Sequence, residues 1–133
     1  MPAFLFIFVK KYPQQKPYLE KLFTSGKIQI KSILDCEPIK SDLLYCNGTL
    51  TYFTEYELPK VLNKFKECKM LVAIHNTTED IIAAKKQGDE LITCNKTRLI
   101  KPRDWWIEKF KANGFNPEYD NRTQCFYSIP KTR

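Results

Sequence analysis

The sequence predicts an α/β domain whose mostly parallel sheet ends in an antiparallel hairpin. Two observations carry that expectation. The stretch from Ser41 to Asn76 reads as strand, helix, strand: Asp42-Leu43-Leu44-Tyr45-Cys46, an aromatic-rich and then helical segment from Leu50 to Cys68, and Lys69-Met70-Leu71-Val72-Ala73-Ile74. Strands joined by such a crossover pair in parallel, and the loops after both then lie at one edge of the sheet. Near the C-terminus, Phe115–Tyr119 and Cys125–Ile129 flank Asp120-Asn121-Arg122-Thr123, the pattern of a hairpin.

The remaining elements follow in chain order. Ala3–Tyr12 suits a strand by its Phe, Ile and Val, and suits a buried helix stopped by Pro13 by its length. Tyr18–Phe23 reads as a short amphipathic helix ended by Thr24-Ser25-Gly26. Lys27–Ile33 alternates polar and apolar residues, as a half-buried edge strand does. Leu34–Lys40 is a loop. Thr54-Glu55-Tyr56-Glu57 has the hydroxyl and carboxylate of a capping box, and Leu58, Val61, Leu62 and Phe65 line one face of the helix it opens. Asn76–Asp80 starts a second helix through Ile81–Ala84 that stops at Gly88, and Asp89–Ile100 is extended or irregular. Lys101–Asp104 opens the clearest helix, Trp105–Asn113, with Gly114 just past its end. Adjacent tryptophans on a helix point about 100° apart, so one belongs in the core and the other at its edge.

With 133 residues the chain makes one domain, and 43% hydrophobic residues are enough for a core. The longest apolar block, Ala3–Val9, is too short to span a membrane and lacks the flanks of a secretory signal. A formal charge of +7 favours anionic partners, nucleic acid among them, yet the basic residues are spread and form no stripe. The five cysteines Cys36, Cys46, Cys68, Cys94 and Cys125 never occur as C-x-x-C. That argues against a zinc site and against a disulfide framework, and reduced, mostly buried thiols in a cytoplasmic protein are the simplest account.

Asp42 to Phe53 (DLLYCNGTLTYF) resembles the fourth strand and following loop of class I S-adenosylmethionine (SAM)-dependent methyltransferases. Pro59–Ile74 resembles the next helix and fifth strand of that family. Arg103-Asp104-Trp105-Trp106 with Phe110 and Gly114-Phe115 resembles its R-E-W-W…F…G-F helix, which leads into a terminal antiparallel hairpin. The resemblance runs from about Lys27 to Ile129 and implies a reduced Rossmann-like, class I methyltransferase-like fold. One family motif is missing. The glycines at Gly26, Gly48, Gly88 and Gly114 form no glycine-rich loop, and Phe4–Pro13 aligns with the helix that follows that loop. Residues 1–133 would then be a single domain shortened at its N-terminus.

The resemblance implies SAM as cofactor. It sets Asp35, with Cys36, against the adenine amino group, and Cys46, Asn47, Gly48 and Thr49 beside the sulfonium and reacting methyl. Tyr52 and Phe53 would wall the pocket, where aromatic faces attract a sulfonium cation. His75 and Asn76, at the end of the following strand, would meet the acceptor, His75 as base or contact. From the residues alone, Asp35 equally caps its own turn, Phe53 packs in the core, and His75 is a satisfied polar side chain. The expected function is methyl transfer to an unknown acceptor. The alternatives are a non-catalytic partner subunit, another SAM-using or SAM-degrading enzyme with a site shared between subunits, and a small basic RNA-binding module. A homo-oligomer or a missing partner subunit accompanies the first two alternatives.

Overall fold

The structure, a computed structural model, describes residues 5–8, 27–30, 33–88 and 99–131. Its strands are β1 (Leu5–Phe8), β2 (Lys27–Ile30), β3 (Leu43–Asn47), β4 (Met70–Ile74), β5 (Phe115–Asp120) and β6 (Cys125–Pro130). Its helices are α1 (Leu58–Lys64), α2 (Thr78–Lys86) and α3 (Arg103–Ala112), with single 3-10 turns at Ile33–Asp35 and Thr49–Tyr52. β1 and β2 form a parallel pair, and a four-stranded sheet runs β3-β4-β6-β5. In that sheet β3 and β4 are parallel, and β6 is antiparallel to both neighbours. The α/β class and the terminal hairpin are as the sequence predicts.

Local chemistry explains most boundaries. Leu5–Phe8 is a strand, so the open choice at Ala3–Tyr12 falls to its β-favouring residues, and the alignment of Phe4–Pro13 with a helix is corrected there. The helix expected at Tyr18–Phe23 and most of Asp89–Ile100 lie outside the described residues. The Thr54–Glu57 box forms, with Thr54 N–H donating to Glu57 Oε1 at 2.9 Å and Glu57 N–H to Thr54 Oγ1 at 3.2 Å. It closes a turn just ahead of α1. Past Lys64 the chain tightens into turns, with Phe65 N–H on Leu62 O at 3.0 Å and Cys68 N–H on Phe65 O at 3.2 Å. The helix therefore ends four residues before Cys68, because the chain must reverse for Lys69 N–H to reach Ser41 O at 3.0 Å. α3 begins two residues earlier than Trp105, since Pro102 supplies the extended residue before it.

Strand register sorts the side chains. Leu44 faces Leu71, Cys46 faces Ala73, and Ala73 in turn faces Phe126, so these share one side of the sheet. They join Leu58, Val61, Leu62 and Phe65 around α1, and Trp106 and Phe110 of α3, in a single core. Trp106 is fully buried while Trp105 lies edge-on to it at 5.1 Å, between the ammonium groups of Lys101 and Lys109. The opposite side is less covered. Leu43, Tyr45 and Ile129 are each more than half exposed there.

Candidate functional site

β3 and β4 end together, with Asn47 opposite Ile74. β6 runs the other way beside β4, Phe126 opposite Ala73, so the turn that precedes β6 returns to that same edge. Between these three ends lies a cavity of about 210 Å³, lined by Asn47 and Gly48 from β3, Ile74, His75 and Asn76 from β4, Asp80 of α2, and Gln124 of the hairpin turn. The turn out of β3 needs its glycine: Gly48 has φ 73°, a left-handed conformation that side chains resist. Its N–H donates to Ile74 O at 2.6 Å, and its carbonyl accepts from Thr51 Oγ1 at 2.8 Å.

His75 is 7% exposed. Its ring lies 4.0 Å from Trp106 and stacks 5.2 Å from Phe126. Neither ring nitrogen has a hydrogen-bond partner among the described residues. Burial lowers its pKa to about 4, against a weaker upward pull from Asp80. At neutral pH the imidazole is therefore uncharged.

Asp80 is tied on both oxygens. Oδ2 accepts from Thr77 N–H at 2.9 Å and from Thr77 Oγ1 at 2.8 Å, completing the capping box of α2. Oδ1 accepts from Arg103 Nη2 at 3.1 Å. The same guanidinium sits 4.6 Å over the Tyr119 ring and reaches Asn121 Oδ1 at 3.4 Å. The backbone N–H of Arg103 donates to Glu79 Oε1 at 3.1 Å. One arginine thus joins the start of α2, the start of α3 and the hairpin that carries Gln124.

The structure brings four of the expected residues to the cavity: Asn47, Gly48, His75 and Asn76. Tyr52 and Phe53 line a second, shallower hollow of about 460 Å³ with Tyr56, Leu99 and Lys101. Phe53 itself is 6% exposed and joins the core. Thr49 opens the 3-10 turn between the two hollows and lines neither. Asp35 is exposed at the end of its own 3-10 turn, and Cys36 beneath it is buried with Sγ on Ile33 O at 3.1 Å. Cys46 points into the core, where burial first and Cys68 second push its thiol up to about 12. A thiol so held stays protonated and is no nucleophile at neutral pH. The sequence reading missed Asp80 and Gln124 as site residues. Asp80 was visible only as part of a helix start, and Gln124 had no local signal, because it arrives through the antiparallel return of β6.

No protein-family model matches the chain, and no curated protein matches it in sequence. Its fold does match solved structures. It is similar to the N,N-8-amino-8-demethyl-D-riboflavin dimethyltransferase of Streptomyces davawensis, with TM-score 0.67 and 13% identity over 98% of this chain and 42% of that one. An O-methyltransferase family protein of Burkholderia thailandensis gives TM-score 0.64 and 16% identity, over 97% and 43% of the two chains. The magnesium protoporphyrin IX methyltransferase of Synechocystis, solved with bound SAH, gives 0.57 and 12%, over 87% and 57%. At such identities the likeness is one of fold. The chain spans between 42% and 57% of the length of these three.

Proposed function

We propose that this chain, methyltransferase-like in fold, acts in SAM-dependent methyl transfer and forms the part of the site where methyl group and acceptor meet. The observation that carries this reading is the polar cavity at the carboxyl edge of β3 and β4, the edge where open α/β sheets take ligands. SAM, when bound, supplies a methyl group on a sulfonium centre. The residues present fit its reactive end. Gly48 has no side chain to obstruct close approach, and Asn47 presents a carboxamide that makes no hydrogen bond among the described residues. The cavity, at about 210 Å³, is smaller than the roughly 300–1,000 Å³ of sites for drug-sized ligands. It suits the methyl-bearing end and a small acceptor, with the adenine end outside. Asp35, exposed and in no ion pair among the described residues, is available to an amino group there.

The chain's own contribution is alignment, which methyl transfer chiefly needs. His75 belongs to this as a positioning residue. Uncharged and gripped by Trp106 and Phe126, it holds the wall beside Asn76 rigid. Calorimetric titration of the folded chain with SAM, with its mass in solution recorded, tests the reading. Saturable binding that weakens about tenfold in Asn47→Ala and in Asp35→Ala is expected, each losing one hydrogen bond near a charged or polar ligand group. No heat from a folded sample contradicts it for the chain by itself.

A second reading is favoured by the exposed Leu43 and Tyr45 on β3, a strand at the end of its sheet. Apolar edge strands are sites of pairing, so a second copy or another subunit completing the site is its natural occupant. Cytoplasmic residence is supported by Cys46, Cys68 and Cys125, buried thiols that form no disulfide among the described residues. Among the described residues no helix is long and apolar enough to cross a membrane.

A further inference from the structure

The lining of the cavity has a chemistry of its own. Three of the residues that line it carry carboxamides, Asn47, Asn76 and Gln124, one from each chain end that meets there. Among the described residues none of the three makes a side-chain hydrogen bond, so each keeps a free donor and a free acceptor. Gln124 is held in place at some cost, since it is the one non-glycine residue described with positive φ, at 58°. Its N–H donates to Asp120 O at 2.7 Å, and Asp120 also takes Arg122 N–H at 3.0 Å and Thr123 Oγ1 at 2.9 Å. The turn is thus fixed from within, with Gln124 set against the cavity.

Charge is nearly absent. Among the described residues the lining carries two titratable side chains: His75, uncharged at neutral pH, and Asp80, matched by Arg103 at 3.1 Å. No lysine or arginine among the described residues lines the cavity, although the chain as a whole is +7. A phosphate or carboxylate group would find no cation there to replace its lost hydration. Carboxamides pair edge to edge with uncharged groups that set a donor beside an acceptor, as an amino group next to a ring nitrogen does. The small volume limits the ligand to about one ring system.

We propose that the cavity binds an uncharged nitrogen heterocycle through an edge that places an amino donor next to a ring acceptor, gripped by Asn47, Asn76 and Gln124. This rests on the methyltransferase reading only in naming that heterocycle as the methyl acceptor; binding itself stands apart from it. The test is a titration of the nitrogen-15-labelled chain at neutral pH with cytosine, pyrimidine and orotate, followed by NMR. Pyrimidine lacks the amino group and orotate is an anion. Cytosine is expected to shift the amides of Gly48, Asn76 and Gln124 saturably, with pyrimidine and orotate each at least about fivefold weaker, the worth of one or two neutral hydrogen bonds.

Gln124→Gly supplies the decisive variant, because glycine accepts the left-handed turn without strain and the fold is preserved. It should lose about fivefold in cytosine affinity, and Gln124→Asn, which keeps a carboxamide and tolerates the same φ, should recover part of it. Orotate binding as well as cytosine, no shift at these amides with any of the three, or unchanged affinity in Gln124→Gly would each overturn the proposal. Parallel titration with SAM separates the two readings. SAM binding without cytosine binding sinks the heterocycle and keeps the methyltransferase, whereas cytosine binding without SAM binding does the reverse.

Discussion

His75 shows how far a single residue's setting departs from its type. A lone histidine at a strand end suggests a titrating base, yet here both nitrogens are buried between two aromatic rings, without partners among the described residues. The unfolded chain takes a proton on this imidazole near pH 6.5, the folded one only near 4. Between those values the unfolded state holds more protons, so stability is full above about 6.5 and declines as pH falls toward 4, by about 3 kcal/mol in all. His75→Phe keeps the ring contacts and removes two unpaired polar atoms. Urea unfolding should show this variant at least as stable as the parent at neutral pH, by up to about 2 kcal/mol, and without that acid-side decline. A variant that unfolds more easily at neutral pH would mean that the nitrogens do have partners.

At the scale of elements, two capping boxes of the same pattern differ in consequence. Thr77 is fully buried and its box is locked to Arg103 through Asp80, whereas Thr54 is exposed and its box closes a turn ahead of α1. Thr77→Ala should therefore cost about 1–2 kcal/mol and Thr54→Ala about 0.5 kcal/mol or less, read from denaturant midpoints at constant slope. Equal costs would show that the Asp80–Arg103 link adds nothing. The Thr54–Glu57 box was legible because capping is written in residues three apart, whereas Asn76–Asp80 read only as a helix start. Legible too were β3, β4 and the hairpin, whose apolar runs and turn residues are contiguous. The ends of α1 and α3 shifted by a few residues, since the demand that Lys69 pair with Ser41 and the choice of Pro102 as lead-in are settled by neighbours. Asp80 and Gln124 joined the site through strand register and helix placement, which no local pattern records.

For the molecule as a whole, the order β3-β4-β6-β5 gathers two parallel strand ends and one hairpin turn at a single edge. The parallel pair let the sequence point to Asn47, Gly48, His75 and Asn76; the antiparallel β6 added what it could not foresee. The expected cluster of Cys46 with Asn47 and Gly48 also divides, because alternation along β3 sends the thiol into the core and the carboxamide to the edge. The central claim is that this edge receives the reactive end of SAM. Chemical-shift mapping with SAH, the demethylated product, tests it most directly. The largest saturable shifts should fall on Asn47, Gly48, His75 and Asn76, with α3 and the far ends of β3 and β4 unmoved. Saturable shifts confined elsewhere, or none in a folded sample, would contradict it.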